Sequence, residues 1–125
     1  MIENMPWTMI TTNSTAAGGE FHAVSPWRAI APGETAARAS MEVAAITGTG
    51  MQVAAAVQTA NDPRNPDAHA AVITAVTTNG VKDPNAAATT ITVDGKRWIR
   101  TGYSVKVTSG TGWVRVAGRV ETWLP

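Results

Sequence analysis

Residues 97–124 read RWIRTGYSVKVTSGTGWVRVAGRVETWL. Two runs of alternating apolar and polar residues flank Ser109-Gly110-Thr111-Gly112, a glycine-bearing connection of the kind tight β-hairpins use. With Ser109 set opposite Gly112, Val107 faces Val114, Val105 faces Val116, Tyr103 faces Gly118, Thr101 faces Val120 and Ile99 faces Thr122. The other side pairs Lys106 with Arg115, Arg100 with Glu121 and Trp98 with Trp123. A slip of one residue would mix the two sets, so the pattern specifies its register. Tyr103 opposite Gly118 fits as well, since a ring can cover backbone that glycine leaves bare. The expectation is a hairpin with a valine face turned to the core.

Similar signals recur upstream. Ala37, Ala39, Met41 and Val43 alternate with Arg38, Ser40 and Glu42, and beyond Thr47-Gly48-Thr49-Gly50 come Met51, Val53, Ala55 and Val57. Keeping both apolar sets on one face calls for an odd loop with Gly50 left-handed. The alanine-rich stretch 34–45 leaves a helix open, with Ala37, Met41 and Ala44 on one side. The matching run after the turn favours a strand. Residues 7–12 form a β-prone run, followed by a linker of small residues ending at Gly18-Gly19. Residues 20–30 are extended, with Pro26 marking an edge or a break. Residues 61–67 (NDPRNPD) are a loop, 70–78 are strand-like, and 89–93 are a short β-branched strand. Turns are expected at 31–33, Asn79-Gly80, Asp83-Pro84-Asn85 and Asp94-Gly95. Seven to eight short strands punctuated in this way predict an all-β fold, an antiparallel β-sandwich with jelly-roll-like character. Its core is expected from Met41, Val43, Met51, Val53, Val57, Ile99, Tyr103, Val105, Val107, Val114, Val116 and Val120. The chain divides into residues 1–19, an N-terminal arm or first strand, and a sandwich domain over 20–125.

Composition limits the chemistry. The 125 residues include ten basic and nine acidic ones, and the net charge of +1 provides no field for nucleic acid or anionic membrane. Charged residues make up only 15%, well under the usual quarter, as on a surface largely covered by partners. There is no cysteine, which removes disulfides, thiolates and cysteine-based zinc sites. The first nineteen residues lack a basic start and a continuous apolar run, so no secretion signal is expected. No stretch is apolar enough to span a bilayer as a helix.

Catalytic motifs are missing. His22 and His69 stand far apart without metal-ligand spacing, and residues 61–67 lack the pattern of a calcium loop. The glycines at 47–50 and 109–112 match no phosphate-binding loop, and no serine sits in a nucleophile elbow. Asn13-Ser14-Thr15 reads as a chance glycosylation match. No enzyme, cofactor or metal is expected.

The constellation left over is the hairpin's polar face: Trp98, Arg100, Trp113, Arg115, Arg119 and Trp123, with Trp7 added from the N-terminal segment. Tryptophan and arginine dominate interface hot spots. Lys106 facing Arg115 is a like-charge pair that an acidic partner group would relieve, and Arg100 opposite Glu121 is an expected cross-strand ion pair. A solvated face with stacked rings is the plainer alternative. A tryptophan platform for sugar rings, as in a carbohydrate-binding β-sandwich module, is the other functional one.

The cysteine-free, alanine- and threonine-rich chain, with its small-residue linkers and the form RWIRTGYSVKVTSGTGWVRVAGRVE, resembles the small β-sandwich proteins of tailed-bacteriophage virions. Head-decoration and accessory structural proteins are the particular likeness. The resemblance implies a non-enzymatic protein that binds capsid or other virion proteins and stabilises an assembled shell. It further implies a homo-oligomer, synthesis in the host cytoplasm and a virion location.

Overall fold

The computed structural model describes residues 2–31, 33–78, 89–91 and 96–123. These contain nine strands: β1 (Ile2–Thr12), β2 (Glu20–Ala23), β3 (Arg28–Ala29), β4 (Ala36–Thr49), β5 (Gln52–Ala60), β6 (Ala70–Ala71), β7 (Thr89–Thr90), β8 (Trp98–Lys106) and β9 (Ser109–Trp123). Every pairing is antiparallel. Sheet A runs β1-β9-β4-β7, while sheet B runs β2-β8-β5-β6 with β3 also on β8. The antiparallel β-sandwich stands, although β4 and β9 reach 14 and 15 residues where short strands were expected. The segment 34–45 is strand from Ala36 onward, with buried Ala37, Ala39, Met41 and Val43 alternating with Arg38, Ser40 and Glu42 on the outside. The expected turns at 79–80, 83–85 and 94–95 lie outside the described residues, as do Pro32 and the end of the 89–93 run.

The expected hairpin does not form. β8 and β9 belong to different sheets: β8 pairs with β5, and β9 pairs with β4 and β1. The same holds for β4 and β5. What the chain builds is one long two-stranded ribbon, with β4 running into β5 along one rail and β8 into β9 along the other. Its pairing starts at Ala36 opposite Trp123 and ends at Ala60 opposite Trp98. Bulges between Val43 and Ala45 and between Thr47 and Thr49 are the register shifts within β4–β9. The ribbon folds over at its middle, carrying one half into each sheet, which is the wrapping that characterises a jelly roll.

Both rails turn at the same place. Gly50 is left-handed at φ 62°, as its loop requires. Thr108 N–H donates to the Thr49 carbonyl (2.8 Å), holding the two bends together. A Cβ on Gly50 would lie 2.1 Å from Thr108 Oγ1. Glycine is thus required at this crossing both for backbone conformation and for space.

Folding the ribbon over leaves its inward face unchanged. All twelve expected core residues are buried, joined by Met5, Ile10, Ala37, Ala39, Ile91 and others. Tyr103 does meet Gly118, but across the sandwich: its hydroxyl lies 3.0 Å from where a Gly118 Cβ would be. Burial raises the Tyr103 pKa, so the phenol stays neutral, and its oxygen has no hydrogen-bond partner among the described residues. At the end away from the fold, Arg28 donates to Glu34 (2.8 Å) and to Thr122 Oγ1 (2.7 Å). Thr122 Oγ1 in turn donates to Glu34 (3.1 Å), so this cluster ties the β3 region of sheet B to β9 of sheet A. Glu34 is only 4% exposed, and a carboxylate that dry needs the pairing Arg28 supplies.

Candidate functional site

Because β8 and β9 part company, the expected polar face divides into two surfaces on opposite sides of the molecule. Trp98, Arg100 and Lys106 lie on the outside of sheet B, opposite Ala60, Gln58 and Gln52. Trp113, Arg115, Arg119, Glu121 and Trp123 lie on the outside of sheet A, on its central strand β9. The expected contacts of Arg100 with Glu121, Lys106 with Arg115 and Trp98 with Trp123 are therefore not made. Trp7 does join the β9 residues, since β1 is the neighbouring edge strand.

The outside of sheet B is closed by the chain itself. Arg100 donates to Gln58 Oε1 from Nε (2.9 Å) and Nη2 (2.7 Å). Its guanidinium lies 4.4 Å from the Trp27 ring centre and 5.5 Å from that of Phe21. Phe21 stacks on His69 at 5.4 Å. His69 Nε2 in turn bonds the Gly18 carbonyl (2.8 Å) and lies 3.0 Å from Ser104 Oγ. His69 thus spans from the β6 side of β5 to β8, and Ala54 and Ala56 between them are buried although they point away from the core. Asp67 accepts from Lys96 (3.0 Å), which holds its carboxyl below the usual range. Asp62 is held low by Arg64 in the same way. Both carboxylates of the 61–67 loop are therefore matched to cations, and no group of three or more metal-ligating residues occurs among the described residues.

Among the described residues the outside of sheet A has no such cover. Its rows follow from the register. Thr11, Trp113 and Thr47 form one row, and Met9, Arg115 and Ala45 the next. Asn4, Arg119 and Ser40 form another, followed by Ile2, Glu121 and Arg38. Between Met5 and Thr8 β1 bulges, and the extra residue turns Trp7 outward beside Ala117 and Glu42. Ile2, Trp7 and Met9 are 51%, 45% and 64% exposed, the large apolar side chains left in water. The sequence reading missed Ile2, Met9, Arg38 and Glu42 here. The available signal was Pro6, which predicts a bulge and so a change of phase along an edge strand.

Charge on this face is patterned. Arg38 bonds Glu121 and lies 5.8 Å from the Trp123 ring centre. That bond holds the Glu121 carboxyl below its ordinary value. Arg115 lies 5.6 Å from the Trp7 ring centre. Neither Arg115 nor Arg119 reaches a carboxylate within 4 Å among the described residues. Between them Ser40, Glu42, Ala117 and Gly118 border a shallow saddle of about 180 Å³.

No protein-family model matches this chain, and no curated protein does. Among solved structures it is similar to a chain in the structure of infectious bursal disease virus Gt strain, at 10% identity and a TM-score of 0.47, covering 98% of this chain and 32% of that one. A chain of the Gx strain structure gives 11% identity and 0.47, covering 99% and 31%. The present chain thus spans about a third of the length of either.

Proposed function

We propose that this protein is a non-enzymatic structural component of a virion, and that it stabilises an assembled shell by burying the outer face of sheet A against neighbouring proteins. The observation that carries this reading is the surface of β1 and β9, over which no described segment lies. Trp7, Met9 and Ile2 are exposed along β1 beside Arg115 and Arg119 of β9, and such aromatic, methionine and arginine surfaces are enriched at protein interfaces. A partner that binds only the folded chain also stabilises it. The virion context comes from the resemblance of the sequence to phage accessory proteins.

A face is favoured over the β1 edge, because Pro6 and the bulge interrupt the ladder that an added strand would extend. A sugar platform is less well supported, since arginines lie over the Trp7 and Trp123 rings that pyranoses would need. The test replaces Trp7 and Met9 with serine and measures both thermal stability and incorporation into the assembled particle. Loss of incorporation with near-native stability is expected. Normal incorporation would eliminate this face as the docking surface, and a tryptophan emission shift on oligosaccharide titration would favour the sugar platform.

A further inference from the structure

Resting on that docking reading, we infer that the protein seated on the outer face of sheet A is a second copy of this chain, related by a two-fold axis that lies in the interface and crosses β9 at Gly118. The face is self-complementary under that operation. A two-fold perpendicular to the strands lays β9 on β9 in reverse, so residues equidistant from Gly118 meet. Arg115 then faces Glu121 of the second copy, each roughly 10 Å along the strand from the axis. Trp113 faces Trp123, and Ala117 faces Arg119. On β1, exposed Met9 faces exposed Ile2, while Trp7 falls opposite Asn4.

The saddle explains the central contact. Arg119 of one copy enters the depression at Ala117 and Gly118 of the other, beside Glu42. Both cations without a carboxylate thereby acquire one, and the isologous geometry makes each contact twice. A two-fold parallel to the strands fails on the same register, because it sets Arg115 on Arg115 and Arg119 on Arg119. Twisted sheets pack at about 30° rather than in strict alignment, so the pairs nearest Gly118 keep their partners best and the tryptophans at the ends lie farthest from register.

The test is sedimentation velocity over a wide concentration range, with a charge-swap complementation. Wild-type protein is expected to dimerise. Arg115→Glu alone sets glutamate against Glu121, and Glu121→Arg alone sets arginine against Arg115, so each is expected to weaken self-association at least tenfold. Mixed in equal amounts, the two variants restore both contacts and are expected to form a heterodimer. Arg119→Glu with Glu42→Arg provides a second swap that leaves the Arg38–Glu121 bond intact. Monomeric wild-type protein, single variants that dimerise normally, or folded mixtures that stay monomeric would each overturn the two-fold. If Trp7 and Met9 are still needed for incorporation in that case, the docking face stands and its partner is a different protein.

Discussion

On the outside of sheet B, Arg100 is bonded to Gln58 and packed between Trp27 and Phe21. On the outside of sheet A, Arg115 lies over Trp7, and the tryptophan remains 45% exposed. The two faces use the same residue types. They differ in what crosses them. Residues 67–76 follow the β5 edge and send His69 over the alanines of sheet B, whereas no described segment lies over β1, β9 and β4. A closed face spends its aromatic and cationic groups on holding one fold. An open face keeps them for another surface. The contrast teaches that an arginine near a tryptophan indicates a site only when the sheet beneath it is bare.

The comparison breaks most sharply at Gly102, under the cover of sheet B. A Cβ there would lie 2.0 Å from the His22 carbonyl oxygen, which is backbone and cannot swing aside. Gly102→Ala is expected to cost more than about 3 kcal/mol, measured by denaturant unfolding. Next comes His69→Ala, which removes the bond to Gly18, the contact with Ser104 and the Phe21 stack. A loss of about 1–2 kcal/mol is expected, with no effect on assembly. Tyr103→Phe deletes a buried hydroxyl that lacks a partner among the described residues, and is expected to be neutral or to stabilise by about 1 kcal/mol.

On the open face the expected effects on stability are smallest. Arg119→Ala is expected to shift unfolding by less than about 0.5 kcal/mol while reducing self-association. If it destabilised the isolated chain as strongly as His69→Ala, the contrast between the faces would fail. Acid sharpens the same point. The carboxyls of Glu121, Asp67 and Asp62 have folded pKa values below their ordinary ones. Their stabilisation is therefore full above the ordinary carboxylate range near pH 4 and is lost as pH falls through the depressed values. Thermal scans from pH 7 to pH 2 are expected to show a fall confined to the acid end. Glu121→Gln is expected to remove part of that fall.

Much of this was legible in the residues. Alternation picked out every core position on β8 and β9, because a strand's period of two depends only on which face is apolar. Gly50 was legible as left-handed from the parity of its loop. The apolar run VAAAV at 53–57 also carried a signal, since a strand apolar on both sides is one covered on both sides. The open face of sheet A was only half legible. Trp7 and the β9 residues were found, but Trp98 and Arg100 were placed with them, and Met9, Glu42 and Arg38 were passed over.

The sequence by itself determined the fold class, the inward side chains, the positions of the bends and the lack of any recognisable catalytic motif. Only the tertiary structure decided that β8 and β9 are not hydrogen-bonded partners but opposite walls of the core. The physical reason is that side-chain alternation records in or out and says nothing about which backbone edge completes the ladder. Val105 and Val116 face inward equally well side by side in a hairpin or across the sandwich. That choice rests on long-range pairing with β4 and β5, and it also set which tryptophans and arginines share a surface.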